Sequence, residues 1–201
     1  MYTSRLYVIS APSGTGKTTI RREIEKLSVG VKYSISCTTR KPRIGEKEGI
    51  DYFFISEAEF ESRVRKGQFL EWAVVFGNYY GTDKLYVEKL MSEGHDVVLD
   101  IDVKGASQVK ARVRDVITIF ILPPSMEVLR ERLAGRKTES EEALNSRLDE
   151  AKKEIMLAAW YDYIVVNDVL EEAVQNIVSI FRATRCKREN SLRLLDRFPG
   201  Y

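Results

Sequence analysis

Between Ser10 and Thr19 the chain reads SAPSGTGKTT, residue types and a spacing that suit the binding of a phosphate chain. The run departs from the phosphate-binding P-loop, G-x-x-x-x-G-K-[ST], at Ala11, where the motif has its first glycine. A phosphate cradle needs backbone N–H groups converging on an anion at the positive end of a helix. Gly14 and Gly16 permit the backbone angles that such convergence demands. Lys17 can reach the β- and γ-phosphates of a nucleotide, and the Thr18 hydroxyl can ligate Mg²⁺. Ala11, Pro12, Ser13 and Thr15 complete the loop, with Ala11 at the strand exit, where a small residue suffices. A dinucleotide fingerprint is excluded, because GTGKTT has no third glycine; a chance glycine-rich turn is the bland alternative. A P-loop also wants an acid near the metal at the end of a neighbouring strand. VVLD supplies Asp100, with Asp102 two residues on and, in extended backbone, on the same side.

A second group of residues suits an acceptor. Arg40 and Arg43 flank Pro42, which stiffens the turn, and two guanidinium forks hold a phosphate better than two lysines would. Tyr52 and Tyr80 can each donate a phenolic hydrogen bond to the same anion. Glu71 is a charge embedded in the apolar, aromatic run FLEWAVVF, and a buried carboxylate needs a partner. That partner is either an internal cation or a base edge. Guanine offers N1–H and the 2-amino group side by side to a carboxylate, whereas adenine has a bare acceptor at N1. Sites of that kind discriminate by roughly 10⁴ or more.

These residues need a scaffold, and the chain is long enough to supply one. Its 201 residues, 44% of them hydrophobic, suit one domain with a core of ordinary size. With 32 basic against 30 acidic residues the net charge is +2, which does not favour a nucleic-acid or polybasic membrane protein. Apolar runs such as VITIFIL fall short of the roughly 20 residues a membrane helix needs. The N-terminus enters a strand-like run with no signal-peptide core, and two distant cysteines, Cys37 and Cys186, suit a reducing compartment. The expected location is the cytoplasm. One histidine, His95, beside Gly94, makes histidine-based metal or triad chemistry improbable.

Strand-like and helix-like segments alternate, the pattern of an α/β fold with a mainly parallel sheet flanked by helices. LYVIS reads as a buried strand and residues 17–27 as the helix after the loop. VKYSISC alternates apolar Val31, Tyr33, Ile35 and Cys37 with polar residues and reads as one half-buried strand, with Ser36 on its polar face. IDYFFI and FLEWAVVF are further strands around a short helix, which a capping box from Ser56 to Glu59 starts and Gly67 ends. DVVLDID, VITIFIL and DYIVV continue the sheet, and a last helix closes it. A β-rich insertion near residues 36–82 and a charged excursion near 133–148 interrupt the core, and both are candidate moving parts.

In chain order, SAPSGTGKTT, SCTTRKPRIGEKEGIDYFF, FLEWAVVFGNYYGT, LDIDVKGA, ERLAGRKTESEEALNSRL and YIVVND resemble the guanylate kinase family over about residues 6–185. The resemblance implies a P-loop nucleoside-monophosphate kinase fold: a core (about 1–35, 83–132 and 149–190), a GMP-binding insertion (36–82) and a helical lid (133–148). A basic tail (186–201) adds little to it. It implies transfer of the γ-phosphoryl group of MgATP to GMP, and to dGMP, with ATP in the loop Ala11 to Thr18. Arg40, Arg43, Tyr52 and Tyr80 match contacts to the GMP phosphate, and Ser36, Glu71 and Thr82 match guanine contacts. Asp102 matches an acid near the bound nucleoside, and Thr18 and Asp100 match the metal site, Asp100 through water. Arg132, Arg136 and Arg147 match lid and near-lid arginines around the ATP phosphates; with Lys17 and Arg40, Arg136 and Arg147 are the implied catalytic cations. Lys104 stands where the family usually has glutamine, and the segment after Asp168 lacks a second acid. Catalysis then needs alignment and charge neutralisation rather than a general base, which fits the scarcity of histidine. The competing readings are a guanylate-kinase-like protein-binding module, which generally lacks a working P-loop, and a kinase for another phosphorylated acceptor. Nucleic-acid binding through Arg182–Arg188 is explained as well by a solvated helix face. Oligomeric state stays open.

Overall fold

A computed structural model describes residues 4–27, 29–75, 77–135 and 140–187. Five strands form the central sheet: β1 (Leu6–Ser10), β2 (Val31–Tyr33), β7 (Asp96–Asp100), β8 (Ile117–Leu122) and β9 (Tyr163–Val166). Their order is β2-β7-β1-β8-β9 and every neighbouring pair is parallel. Strands buried on both faces read as continuous apolar runs, and β1, LYVIS, is buried at every position. Leu6 and Val8 enter one core while Tyr7 and Ile9 enter the other, as the two-residue period requires.

The first core lies under α3 (Lys84–Ser92), α4 (Val103–Arg112) and the 3₁₀ turn Leu157–Trp160, through Val87, Leu90, Val103, Ala106, Val109 and Ala158. The second lies under α1 (Lys17–Lys26) and α7 (Leu170–Arg185), whose Ile20, Ile24, Ala173, Val174, Ile177, Val178 and Phe181 form apolar stripes at helical spacing. Helix α5 (Met126–Ala134) and α6 (Glu141–Met156) pack on each other through Leu129, Leu133, Leu148 and Ala151. Ser125 and Ser140 cap these two helices, accepting from the N–H groups of Val128 and Ala143.

A second, mixed sheet is built from β3 (Cys37–Thr38), β4 (Phe53–Phe54), β5 (Phe69–Val75) and β6 (Asn78–Asp83) in the order β4-β3-β6-β5. Its core is aromatic: Phe60 of α2 (Glu57–Arg65) stacks on Phe69 and Tyr79. Ser56 accepts from the Glu59 N–H as expected, but the Glu59 carboxylate pairs with Arg63. Gly67, at φ +63°, ends that helix in the left-handed conformation.

The run VKYSISC is not one strand. Its first three residues pair with β7 in the central sheet, the Ser34 N–H still donates to Val98 O, and Cys37 already pairs with Gly81 in the second sheet. Ser34 is 7% exposed, so the alternation breaks where the chain crosses between sheets. Similarly, β7 ends at Asp100, and Asp102 caps α4 instead of continuing the strand, so the two acids do not share a strand face. Gly94, at φ +89°, places His95 in a turn.

Candidate active site

The loop from Ala11 to Gly16 leaves the carboxyl end of β1, whose connection runs toward β2 while that of the adjacent β7 runs the opposite way to β8, the kind of crevice where ligands of open α/β sheets bind. Gly14 and Gly16 adopt φ +87° and +99°, and Gly16 stands immediately before α1. Their lack of a side chain is also steric. A Cβ on Gly14 would lie 2.7 Å from Leu133 Cδ2, and one on Gly16 2.6 Å from Asn167 Nδ2. Ala11 packs at the edge of the second core, Pro12 and Thr15 are buried, and Ser13 and Thr18 are exposed. The Thr15 N–H closes the turn onto Pro12 O at 3.2 Å.

Two side chains that approach the loop from behind hold its shape. Asn167, just past β9, donates from Nδ2 to Thr15 O at 2.7 Å. Arg132, at the end of α5, donates to Thr15 O at 3.3 Å and to Asn167 O at 3.1–3.2 Å. Arg132 therefore grips carbonyls behind the loop. Asn167 was not foreseen from the sequence: an asparagine after a strand is commonplace, and its partner lies 152 residues away. Arg147, on α6, reaches the front of the loop and donates to Ser13 Oγ at 2.6 Å. Arg136 lies outside the described residues.

Lys17 Nζ is 2.6 Å from Asp100 Oδ1 and donates to Ile101 O at 3.3 Å, with Arg21 of α1 3.9 Å from the other Asp100 oxygen. The lysine, the acid at the end of β7 and Thr18 on the first turn of α1 thus surround the loop mouth. Glu154 of α6 is half-buried nearby, and burial, with Glu150 and Asp102 adding to it, raises its carboxyl to about 7.

The acceptor residues cluster on the second sheet. Arg40 donates to Tyr80 Oη at 3.2 Å and to Glu46 Oε1 at 2.8 Å, and its guanidinium lies 5.4 Å from the centre of the Tyr52 ring. The rings of Tyr52 and Tyr80 meet edge to face at 6.0 Å. Glu46 also accepts from the Arg43 N–H at 2.8 Å, while the Arg43 side chain is exposed on the same turn. The Arg40 hydrogen bond holds the Glu46 carboxyl below the usual range. Ser36 lies on the crossover between the sheets, its carbonyl accepting from the Phe53 N–H.

Glu71 is 6% exposed and Thr82 1%, and the Thr82 hydroxyl donates to Glu71 Oε1 at 2.6 Å. Burial raises the Glu71 carboxyl to about 7; Asp102 adds to the shift, and Thr82 and Arg112 oppose it. Among the described residues no lysine or arginine forms an ion pair with Glu71, so an internal salt bridge does not account for it. A Cβ on Gly105 of α4 would lie 2.8 Å from Glu71 Oε2, so α4 meets the carboxylate with bare backbone. Asp102 is exposed and accepts from the Gly105 N–H at 2.7 Å.

A P-loop at the switch point of a parallel sheet, with an arginine–tyrosine cluster on an inserted mixed sheet and a helical pair α5/α6, defines a P-loop nucleoside-monophosphate kinase fold. The guanylate kinase family profile matches residues 3–184. A guanylate kinase of Geobacter metallireducens is 50% identical over 182 residues, 90% of each chain. The crystal structure of guanylate kinase from Anaplasma phagocytophilum superposes with a TM-score of 0.78 at 35% identity, covering 100% of this chain and 98% of that one. The chain belongs to the guanylate kinase family, and its reaction is the ATP-dependent phosphorylation of GMP to GDP.

Proposed function

We propose that the loop Ala11 to Thr18 holds the ATP phosphates, that the second sheet holds GMP, and that transfer occurs between them. The observation that carries this division is Glu71: a carboxylate 6% exposed, bonded to Thr82 and without an ion pair among the described residues. Such a group suits the paired N1–H and 2-amino donors of guanine, with Ser36 and Thr82 beside it for the rest of the base edge. Arg40, Arg43, Tyr52 and Tyr80 bind the GMP phosphate, and Asp102 lies near the nucleoside. Because these residues address base and phosphate, dGMP is a second acceptor.

On the donor side Lys17 meets the β- and γ-phosphates and leaves Asp100 to do so, while Arg132 keeps the loop in shape. Arg147, and Arg136 on the segment that follows α5, add positive charge to the moving phosphoryl group. The acceptor is a phosphate oxygen largely ionised at neutral pH, so the chain has only to align it and balance charge. Mg²⁺ is the proposed cofactor: the Thr18 hydroxyl and the Asp100 carboxylate are hard oxygen donors of the kind it takes. Among the described residues no group of three or more acid, histidine or cysteine side chains forms a metal cage. When bound, Mg²⁺ supplies charge neutralisation on the phosphate chain. The two cysteines are free thiols, and the proposed location is the cytoplasm. Among the described residues no helix is long and apolar enough to cross a membrane.

The test is ADP formation from MgATP with GMP, dGMP, AMP, CMP, UMP and dTMP supplied separately. Turnover with GMP and dGMP and almost none with AMP is expected. AMP turnover equal to that with GMP overturns the role given to Glu71.

A further inference from the structure

Strand β5 is the edge of the second sheet, and among the described residues no strand neighbours its outer side. Helix α4 of the central unit takes that place with side chains. Gln108 bonds both backbone groups of Trp72, accepting from its N–H at 3.3 Å and donating to its C=O at 2.9 Å, as a paired strand would. One turn on, Arg112 donates from Nη1 to Leu70 O at 2.6 Å and Phe69 O at 3.1 Å. The β5–β6 register shifts between Phe69, opposite Asp83, and Glu71, opposite Thr82, so Leu70 is the extra residue of a bulge. A bulge re-aims side chains and leaves backbone carbonyls off the ladder. Arg112 satisfies those carbonyls on one side of Glu71, Gln108 ties the backbone on the other, and Gly105 meets the Glu71 carboxylate itself.

We propose that Gln108 and Arg112 are positioning residues for guanine selection, holding the bulge of β5 so that the Glu71 carboxylate is fixed against α4. This rests on the reading of Glu71 as the guanine-binding group. Neither side chain hydrogen-bonds a residue assigned to either substrate: Gln108 acts through the strand backbone alone, while Arg112 holds the backbone and also places a positive charge that favours the ionised Glu71.

Steady-state kinetics of Gln108→Ala, Arg112→Ala and Arg112→Lys, each alone and combined with Glu71→Gln, test it. The loss of hydrogen bonds to backbone at this site is expected to raise the KM for GMP about tenfold in each alanine variant, with kcat and the KM for ATP within about twofold of the parent. Arg112→Lys, which retains a charged donor, should recover most of the loss, and it serves as the reading if Arg112→Ala does not fold. Combined with Glu71→Gln, the alanine substitutions should add little, because the group they position is already disabled. An unchanged GMP KM in the alanine variants, or an equal effect with and without Glu71→Gln, overturns the proposal. If Glu71→Gln alone leaves the GMP KM unchanged, the underlying reading of Glu71 fails instead.

Discussion

A carboxylate whose burial raises it to about 7 costs the protein stability when it ionises, and Glu71 is in that position. Its folded value lies above the ordinary 4.5, so the folded state binds the extra proton. The associated stability is complete below pH 4.5 and is lost as pH rises through 7. At pH 8 the ionised group costs up to roughly 3 kcal/mol. Glu71→Gln is therefore expected to stabilise the protein by about 1–3 kcal/mol at pH 8 and by much less at pH 5, read from urea midpoints at the two pH values. On the proposed reading, the same substitution removes a charged acceptor from two guanine donors, which should lower kcat/KM for GMP by about 10²-fold. If Glu71 binds guanine as proposed, binding needs the ionised carboxylate, and the parent should lose GMP affinity as pH falls through 7. Phosphate monoesters titrate near 6, and only that lower limb should remain in Glu71→Gln. A variant that loses GMP affinity and gains no stability at pH 8 would mean that the buried charge costs nothing.

At the scale of elements, the loop is shaped by what stands behind it. Asn167 and Arg132 arrive from β9 and α5 and converge on the carbonyl of Thr15, while Gly14 and Gly16 make room for Leu133 and Asn167. Asn167→Ala is expected to leave that carbonyl short of a buried donor, lowering stability by about 1–2 kcal/mol and raising the KM for ATP several-fold, with the GMP KM unaffected. Thermal melts and two-substrate kinetics check it; an unchanged ATP KM would leave Arg132 as the sufficient support. This bracing also marks where sequence reasoning stops. The P-loop, the alternation of strands and helices, and Glu71 in FLEWAVVF were legible because local spacing or an out-of-place charge announces them. Asn167, Gln108 and Arg112 were not, because each is an ordinary polar residue whose partner is a backbone carbonyl distant in the chain. The break in VKYSISC was equally hidden: a period of two continues through Ser34 while the strand changes sheets. The same limit applied to DVVLDID, where the helix cap at Asp102 replaces the strand geometry that two spaced acids suggest.

Over the whole molecule, three of the cations proposed for transfer, Lys17, Arg40 and Arg147, sit on separate elements and are held by protein acceptors. Lys17 pairs with Asp100 on the central sheet, Arg40 with Glu46 on the second sheet, and Arg147 bonds Ser13 from α6. Hydrogen bonding to Glu46 raises the Arg40 guanidinium further above its usual value, so that fork stays charged at any working pH. A phosphate arriving at each place must compete for these groups, and the transferred phosphoryl group needs several of them at once. Arg147 of α6 and Arg132 of α5 already bond the loop, so on the proposed division convergence requires the second sheet to approach it, which would also exclude water from the γ-phosphate. On the proposed division, donor binding alone leaves Arg40 with Tyr80 and Glu46, its partners in this structure. ATP hydrolysis without GMP should accordingly run at least about 10²-fold below GMP-supported transfer, the loss expected when a stabilising arginine is missing from a phosphoryl-transfer site. Arg147→Ala should lower kcat by a comparable 10²- to 10³-fold, roughly, with a smaller change in either KM, because its charge matters most in the transition state. Phosphate release without acceptor and ADP formation with GMP give both numbers. An ATPase rate near the GMP-supported rate would show that the loop and its nearest cations complete the site unaided, and that closure over GMP is not what assembles it.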